Sequence, residues 1–321
     1  MKILVTGGAG FIGSHITDGF IGQGHRVVVA DNLAMGRMEN LNPEAKFVLM
    51  DIRAQEMEKV FEIERFDAVC HHAAQMDVRM SVKDPMYDAD VNVKGTLNLL
   101  QNCIRFGVKK VVFASTGGAI YGEQDTFPCG EDHPTRPVSP YGITKLTAEK
   151  YLFFYGVEYG LQYVVLRYAN VYGPRQNPHG EAGVVAIFCT RILAGQNPTI
   201  NGDGKQTRDY VFAGDVVQAN LKALAYDKND TFNIGTGIET DVNRIFHLIN
   251  DSAGGKGLEA HGPAKSGEQR RSVISHEKAK RLLGWEPKVP LKNGIKKTVE
   301  YFKKEIGLGK FPVQPESRVR D

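Results

Sequence analysis

A tyrosine and a lysine one helical turn apart are the residues whose types and spacing most directly suggest chemistry. The stretch 139–145 (SPYGITK) reads as the start of a helix, which would place the side chains of Tyr141 and Lys145 on one face. A free tyrosine has a pKa of about 10, but an ammonium group one turn away favours the phenolate and lowers that pKa. The pair could therefore take a proton from an alcohol. Amphipathic helices also carry this spacing by chance, so the interpretation depends on the accompanying residues.

Two hydroxyl side chains precede the pair. Ser115 and Thr116 end an apolar run and are followed by Gly117 and Gly118. If the run is a strand of a parallel sheet, these residues lie at its carboxyl edge, where ligands of such folds bind. A hydroxyl there can share a proton with a phenolate, although a simple turn of Ser and Thr beside two glycines would have the same sequence.

A glycine-rich loop, residues 7–13, follows the first apolar run and matches G-x-G-x-x-G from Gly8 and G-x-x-G-x-x-G from Gly7. Such glycines let the backbone turn sharply and approach a pyrophosphate at the N-terminus of the following helix. Asp31 at the end of the second run can accept hydrogen bonds from ribose hydroxyls and would repel a 2′-phosphate. We therefore expect NAD rather than NADP, with Arg37 as the nearby basic residue that argues the other way.

Short apolar runs alternate with helix-like segments in the first half of the chain. We predict strands at 3–5, 27–29, 47–49, 68–70, 111–113 and 163–166. Fully apolar strands separated by helices indicate a parallel sheet covered on both faces, hence an α/β doubly wound domain at 1–170. A smaller lobe follows at 171–308, with a basic helix near 291–304 and a loosely ordered tail at 309–321. A helix near 213–226 could return to the first sheet.

Composition excludes several classes of partner. With 42% hydrophobic residues, 24% charged residues and a net charge of +3, the chain predicts a globular protein that binds neither nucleic acid nor a membrane surface. Its four cysteines lack a C-x-x-C pair and predict reduced thiols. No apolar stretch approaches a membrane span, and the N-terminus lacks a secretory pattern, so we expect a cytoplasmic protein. His71 and His72, as strand neighbours, face opposite ways, and no metal site is expected.

Taken together, these residues resemble an extended short-chain dehydrogenase/reductase, and within that group the UDP-glucose 4-epimerase family. The resemblance runs from Gly7 to about Tyr301 and adds several short motifs to the loops and the Tyr141/Lys145 pair. The additional motifs are 31–33 with Gly36, Asp51, 72–74, 92–96, 167–174, 208–210 and 283–285. The resemblance implies a Rossmann sheet with a smaller C-terminal substrate lobe, NAD as cofactor, a UDP-sugar as substrate and a homodimer through helices near 85–103 and 141–155.

The resemblance also implies roles by position. Tyr141 would take the proton of the sugar 4-hydroxyl, Lys145 would hold the nicotinamide ribose, and Thr116 or Ser115 would bridge tyrosine and sugar. Hydride would pass from sugar C4 to NAD and return to the other face of the 4-keto sugar. The implied cofactor contacts are Gly7, Gly10, Phe11, Ile12, Gly13, Asp31, Asn32, Gly36, Asp51, Ile52, Ala73, Ala74, Gln75, Asn92, Tyr141, Lys145 and Tyr168. The implied substrate contacts are Asn170, Val184, Val185, Arg208, Lys265, Glu268 and Arg271. For Asp51, a helix N-cap is an equally good interpretation.

Three departures from the family pattern sharpen this expectation. Gly117 stands where many members carry the catalytic hydroxyl, which makes Thr116 the first candidate and Ser115 the second. Dehydratase and decarboxylase relatives carry an acidic residue after the loop threonine, where this chain has Gly117 and Gly118, so epimerisation is favoured. The family segment Arg-Pro-Gly-Asp reads KSGE at 265–268, and the diphosphate contact would pass to Lys265 or Arg271.

The sugar and the reaction class leave alternatives. Ser272 aligns with a position where a small residue tends to admit N-acetylated sugars, so we expect activity on UDP-glucose, UDP-galactose and their N-acetylated forms. The nearest alternatives are a UDP-glucuronate 4-epimerase or a ketosugar reductase on the same scaffold. A nucleotide sensor without catalysis is a third, but it would have no need of a tuned phenol.

Overall fold

The structure, a computed structural model, describes residues 1–178, 183–264 and 269–310. Its strands are β1 (Lys2–Thr6), β2 (Arg26–Asp31), β3 (Lys46–Leu49), β4 (Ala68–His71), β5 (Lys110–Thr116), β6 (Gln162–Tyr168), β7 (Asn170–Tyr172), β8 (Thr199–Asn201), β9 (Thr207–Phe212), β10 (Asp230–Ile234), β11 (Glu239–Asp241), β12 (Ala260–Gly262) and β13 (Arg271–Ser272). All six apolar runs that the sequence marks as strands lie in the first six of these.

The helices mostly separate these strands. They are α1 (Phe11–Gly22), α2 (Met57–Glu64), α3 (Val78–Lys83), α4 (Pro85–Ala89), α5 (Gly95–Arg105), α6 (Gly117–Ile120), α7 (Pro140–Tyr159), α8 (Val184–Leu193), α9 (Ala213–Ala225), α10 (Val242–Ala253), α11 (Glu277–Leu283) and α12 (Leu291–Gly307). A π-helical stretch, Asp90–Lys94, joins α4 to α5. Within the described ranges, no helix combines the length and apolar character that a membrane crossing requires.

Seven strands form one parallel sheet in the order β10-β6-β5-β4-β1-β2-β3. Because successive side chains of a strand point to opposite faces, its apolar strands supply two cores. Ile3 and Val5 pack with α1 and α9, whereas Leu4 packs with α2, α5 and α7. The strand order reverses between β1 and β4, and the crevice at this carboxyl edge is where such sheets bind ligands. This confirms the predicted doubly wound α/β fold.

The second half of the chain contributes to both parts of the molecule. β9 pairs with β7, β11 and β13 in a small sheet, and β8 pairs with β12. Helices α8, α10 and α12 enclose a third core around Phe188, Phe246 and Phe302. β10, however, is a strand of the first sheet, and α9 packs on one face of that sheet. The sequence suggested this return for the helix near 213–226. The domain limits 1–170 and 171–308 stay a prediction, and most of the tail at 309–321 lies outside the described residues.

Candidate active site

The helix that carries Tyr141 and Lys145 begins at a well-formed cap. The Ser139 hydroxyl oxygen accepts a hydrogen bond from the Gly142 N–H at 3.2 Å, and Pro140 occupies the first helical position, where its missing N–H costs nothing. The Tyr141 N–H donates to Ser81 Oγ of α3 at 3.2 Å. These contacts fix the start of α7 against α3.

Lys145 reaches back to the fifth strand. Its Nζ donates to the Ala114 carbonyl at 2.6 Å and lies 4.5 Å from the centre of the Phe113 ring. Burial lowers the pKa of Lys145 to about 8, and the carboxylates of Glu149 and Asp88 act in the opposite direction. The lysine is therefore a buried cation whose charge depends on nearby acids.

The two candidate hydroxyls have different surroundings. Ser115 is buried, and its Oγ donates to Glu149 Oε1 at 2.5 Å. The Glu149 carboxylate is held by Arg167 through two further bonds of 3.0 and 2.6 Å. Thr116 is half-buried at the end of β5 and occupies the N-cap position of α6, where its side chain makes no capping hydrogen bond. The structure thus engages Ser115 in a buried network and leaves Thr116 at the edge of the sheet.

The two glycines after Thr116 have different amounts of space. A Cβ at Gly117 would lie 2.6 Å from Ile274 Cδ1 and 3.3 Å from the Tyr168 carbonyl oxygen, so a side chain there would require the Ile274 side chain to move. A Cβ at Gly118 would lie 3.8 Å from Asn170 Oδ1 and 3.9 Å from Thr116 Oγ1, which is ordinary contact distance. The predicted phosphate ligand Asn170 and the predicted catalytic Thr116 therefore flank the same point above the sheet.

The glycine loop is built for close approach of the backbone. Gly7 has φ +69°, and a Cβ there would lie 2.6 Å from the Ala73 nitrogen at the end of β4. A Cβ at Gly13 would lie 2.2 Å from the Gly7 oxygen. Gly10 precedes α1, whose first residues Phe11 and Ile12 are half-buried. The N-terminus of α1 thus lies at the crevice, where its unsatisfied N–H groups can meet a pyrophosphate.

Asp31 sits at the tip of β2 beside this loop. Its Oδ2 accepts from the Ala9 N–H at 3.0 Å and its Oδ1 from the Leu33 N–H at 2.8 Å. A Cβ at Gly36 would lie 2.8 Å from Asp31 Oδ1, so only glycine keeps that side of the carboxylate open. The geometry suits a carboxylate that retains acceptor capacity for ribose hydroxyls.

Asp51 and its neighbours form a separate polar cluster. The Asp51 carboxylate accepts from the Arg53 backbone and guanidinium at 2.8–2.9 Å and from Asn32 Nδ2 at 2.9 Å. These hydrogen bonds lower the pKa of Asp51 to about 2, and the bonds from the Arg53 side chain have the largest effect. Ile52 is buried, and its carbonyl accepts from Asn98. Asp51 thus caps a local turn and orients Asn32.

The loop after β4 is tied to the π-helical stretch. The Gln75 N–H donates to Asn92 Oδ1 at 2.9 Å, and Asn92 Nδ2 returns a bond of 2.9 Å to the Gln75 carbonyl. Ala73 donates to Thr6 Oγ1 at 3.3 Å, and Ala74 is half-buried beside it. The small residues Ala73 and Ala74 therefore line the crevice next to the glycine loop.

The two histidines at the end of β4 face opposite ways. His71 Nδ1 bonds to Thr6 Oγ1 at 2.8 Å and its Nε2 to Thr96 Oγ1 at 3.0 Å. His72 Nε2 instead bonds to the Tyr168 hydroxyl at 3.0 Å, and Asn220 donates to that hydroxyl at 2.8 Å. The Tyr168 phenol thus lies in a buried network, which leaves its backbone as the part available to a cofactor. Within the described ranges, no three metal-ligating side chains converge.

The predicted substrate residues lie around β9. Arg208 on this strand donates to the Thr207 carbonyl at 2.8 Å. Arg271, on the neighbouring β13, makes two bonds of 2.8 Å to Glu239 and stacks 3.6 Å above the centre of the Phe127 ring. Val184 and Val185 begin α8, where the Val185 side chain is buried in the third core. Lys265 and Glu268 lie outside the described residues.

Comparison with known proteins identifies the family. The family model described as "NAD dependent epimerase/dehydratase family" matches residues 3–235. The chain belongs to this family. Its sequence is 48% identical over 301 residues to the putative UDP-glucose 4-epimerase of Methanocaldococcus jannaschii, across 94% of this chain and 98% of that protein.

Solved structures of related proteins superpose closely on this family member. The UDP-glucose 4-epimerase of Thermotoga maritima, crystallised with UDP-glucose, matches with a TM-score of 0.93 and 52% identity over 95% of this chain and all (100%) of that one. The UDP-glucose 4-epimerase of Thermus thermophilus in complex with NAD matches with a TM-score of 0.90 and 46% identity over 94% and 99% of the two chains.

The residues of this family member fit the dinucleotide that the family name implies. Three glycine positions, Gly7, Gly13 and Gly36, are places where a Cβ would meet the backbone or Asp31 within 3 Å. They create the close backbone approach and the open carboxylate that a pyrophosphate and an adenosine ribose require.

Two buried acids near Lys145, Glu149 and Asp88, are not predicted from the sequence. Glu149 follows Lys145 by four residues, so the spacing of α7 could have placed it on the same face. Asp88 is fully buried and bonds to Thr144, but it lies in a short polar segment with no periodicity that would reveal its burial.

Proposed function

We propose that this family member is an NAD-dependent epimerase that inverts C4 of UDP-hexoses and interconverts UDP-glucose and UDP-galactose. The observation that carries the proposal is the edge of β5: Lys145, on the same helix as Tyr141, donates to the Ala114 carbonyl of this strand, and the strand is followed by Gly117 and Gly118, which supply no acid or base. Elimination needs a further acid or base, whereas epimerisation needs one proton-transfer centre. The related UDP-glucose 4-epimerases with UDP-glucose or NAD support the same reaction.

The chain's own residues supply the proton transfer. The Tyr141 phenolate takes the proton of the sugar 4-hydroxyl, and the Lys145 ammonium favours that phenolate. Thr116, at the sheet edge, bridges phenol and sugar, while Ser115 is held by Glu149. The glycine loop and Asp31 would hold NAD, whose nicotinamide would supply an acceptor for the C4 hydride and allow its return to the opposite face of the 4-keto sugar. Tyr141 then gives the proton back, which completes the inversion.

The substrate diphosphate meets arginine and amide groups in this proposal. Asn170 lies beside Gly118 at the reacting end, and Arg208 lies on the strand that pairs with β7. Arg271 is paired with Glu239 and stacked on Phe127. To bind a substrate phosphate, its guanidinium must therefore leave the Glu239 carboxylate. A guanidinium suits both partners because its fork fits carboxylates and phosphates alike.

The range of sugars follows from Ser272. This small buried residue lies on β13 opposite Arg208, and we propose that it leaves room for an N-acetyl group. We therefore expect turnover of UDP-N-acetylglucosamine as well as UDP-glucose, and Ser272→Tyr should remove the former activity while keeping the latter. An enzyme without detectable turnover of UDP-N-acetylglucosamine would contradict this part of the proposal.

We also propose a cytoplasmic homodimer. Large apolar side chains are exposed on α7 and on the neighbouring α3 and α4: Phe153 at 60%, Val157 at 71%, Val82 at 64% and Met86 at 80%. Apolar patches of this kind mark interfaces, and the four free, buried thiols suit a reducing compartment. Light scattering should give twice the mass of 35.5 kDa, and Phe153→Glu should give the monomer. A monomeric wild-type protein would contradict the dimer.

One experiment tests the reaction. Purified protein, with no cofactor added, should interconvert UDP-glucose and UDP-galactose when followed by proton NMR, because NAD held throughout the cycle is regenerated in place. A requirement for external NADH or NADPH with net reduction would identify a ketosugar reductase instead. Turnover of UDP-glucuronate alone would identify the other epimerase, and bound NAD without turnover of any sugar would identify a sensor.

A further inference from the structure

Two polar contacts join the helix α1 to the loop that follows β7. His15 Nε2 donates a hydrogen bond to the Pro174 carbonyl at 2.8 Å, and Arg175 Nη1 lies 2.7 Å from Asp18 Oδ2 in an ion pair. His15 and Pro174 are 159 positions apart in the chain, so these contacts join two separate parts of the fold. We call the four residues the α1 clasp, and the proposed reaction assigns no role to any of them.

One end of the clasp lies on the helix that begins at the predicted pyrophosphate site. Phe11, His15 and Asp18 follow one another at spacings of four and three residues, which aligns them along one stripe of α1. The His15 ring packs edge-on against the Phe11 ring, with their centres 5.9 Å apart. A different face of the helix, with Ile16 and Phe20, is buried in the core of the sheet. The clasp therefore starts one helical turn from Phe11, the first residue of α1.

The other end of the clasp is held close to the predicted substrate strand. Arg175 has a φ of +66°, a left-handed conformation that a residue with a side chain keeps only where its surroundings hold it. The next residue, Gln176, is buried, and its Nε2 donates to the Val171 carbonyl of β7 at 3.2 Å. This strand begins at Asn170, the predicted phosphate ligand. The clasp thus connects the helix of the predicted cofactor site to the strand of the predicted substrate site.

We propose that His15 and Asp18 are positioning residues that hold the substrate strand β7 in register with the cofactor helix α1. Hydride transfer depends on the distance between the two bound ligands, and a displacement of 1 Å can cost about 100-fold in rate. A ligand on α1 and a ligand beside β7 both favour the same contacts, so the clasp also couples their affinities, and this coupling is reciprocal. The effect on hydride transfer rests on the proposed function, whereas the coupling of the two affinities does not.

The chemistry of the His15 contact defines the variants that test it. Burial is the main reason that the pKa of His15 is lowered, so the ring is neutral near pH 7, and its Nε2 carries the proton because a carbonyl can only accept. His15→Phe keeps a ring against Phe11 and removes the donor, whereas the amide nitrogen of His15→Gln can take the place of Nε2. Asp18→Asn removes the charge that faces Arg175 and keeps an acceptor for Asn42 Nδ2, which lies 2.9 Å from Asp18 Oδ1. This variant replaces His15→Phe if the latter does not fold.

Turnover of deuterated substrate measures the position of the sugar. With UDP-glucose that carries deuterium at C4, we expect His15→Phe to lower kcat per bound NAD by about 10-fold. The deuterium isotope effect on kcat should rise at the same time, because hydride transfer becomes slower relative to the other steps. His15→Gln should restore both values. A loss of stability alone would reduce the active fraction without changing the isotope effect, so a lower kcat with an unchanged isotope effect would overturn the positioning role.

Binding measures the coupling without turnover. NAD is titrated by calorimetry into protein stripped of cofactor, once without UDP and once with saturating UDP. We expect UDP to tighten NAD binding by at least about 5-fold in the wild type, the lower end of common coupling factors, and by a clearly smaller factor in His15→Phe. An equal factor in the two proteins would overturn the inference. Failure of the wild type to epimerise UDP-glucose would instead contradict the proposed function, and the coupling would still test the clasp.

His25→Phe is the matched control for the histidine. The His25 ring packs edge-on against Phe20 just beyond the other end of α1, with the ring centres 6.1 Å apart. Its Nδ1 lies 3.4 Å from the N-terminal amino group, so the same substitution is made on the same helix away from the clasp. His25→Phe should keep the wild-type kcat, isotope effect and coupling factor. Losses equal to those of His15→Phe would show that any change along α1 has this effect and would overturn the assignment to the clasp.

Discussion

The phenol of Tyr141 is the residue on which the proposed chemistry depends most directly. Replacing Tyr141 with Phe removes the group that exchanges the proton while keeping the ring, so we expect turnover to fall by about 100-fold or more. Bound NAD, measured by absorbance after denaturation, should remain. Tyr159→Phe, an exposed tyrosine at the other end of α7, serves as the control and should retain full activity. Turnover by Tyr141→Phe within a few-fold of wild type would remove Tyr141 from its role.

Ser115 and Thr116 should respond differently to loss of their hydroxyls. Ser115→Ala removes a bond to the buried Glu149, so we expect the free energy of unfolding to fall by about 2 kcal/mol, as for bonds to charged groups, while kcat changes little. Thr116→Ala should lower kcat at least about 10-fold with little loss of stability, and Thr116→Ser should restore it. If neither alanine variant slows turnover, the assignment of a loop hydroxyl to the reaction is wrong.

The residue types in the sequence identify Ser115 and Thr116 as candidates, but they do not show which of the two hydroxyls takes part in the reaction. Ser115 and Thr116 are neighbours on one strand, and the choice depends on which of them meets Glu149, a residue 34 positions away. Similarly, the pairing of Arg271 with Glu239 depends on β11 and β13 flanking β9. Long-range partners of this kind have no signature in local spacing, which is why the roles of these residues stay predictions.

At the scale of elements, the glycine loop and α1 should act as one rigid unit. A Cβ at Gly13 would lie 2.2 Å from the Gly7 oxygen, and overpacking of this kind costs about 1–3 kcal/mol. We expect Gly13→Ala to lower the melting temperature and to weaken NAD binding at least about tenfold, measured by calorimetry on stripped protein. Gly22→Ala at the end of the same helix, where nothing lies within 4 Å, should keep both properties. Normal NAD affinity in Gly13→Ala would contradict the proposed loop function.

The strands of the first half were predictable because each is apolar on both faces and therefore appears in the sequence as a continuous run of apolar residues. β10 was not, since DTFNI mixes polar and apolar residues and its place at the edge of the sheet depends on pairing with β6. The sequence left open whether the helix near 213–226 returns to the first sheet, and contact with α1 fixes this return, since a Cβ at Gly19 would lie 2.4 Å from Val217 Cγ1. Close helix packing of this type becomes visible only in three dimensions.

At the scale of the whole molecule, His71 ends β4 at the point where the two hydrophobic cores on the faces of the sheet border the ligand crevice. Burial is the main reason that the pKa of His71 lies well below its usual value of 6.5, and the charge of Lys145 lowers it further. The folded protein therefore keeps His71 neutral, whereas the unfolded chain protonates it as the pH falls through 6.5. Because the unfolded state then binds more protons, stability is fully present above about pH 6.5 and decreases below it.

This linkage predicts an acid sensitivity well above the range in which carboxylates titrate. Between pH 7 and pH 5, His71 should remove up to about 2 kcal/mol from the free energy of unfolding, at about 1.4 kcal/mol per pH unit below 6.5. His71→Gln can keep hydrogen bonds toward Thr6 and Thr96, so denaturant titrations at both pH values should show that its loss is smaller than that of wild type by this amount. His247→Gln, at an exposed histidine, should lose as much as wild type. An equal loss in His71→Gln and wild type would show that the buried histidine does not set the acid limit, and the cause would have to lie in other titrating groups.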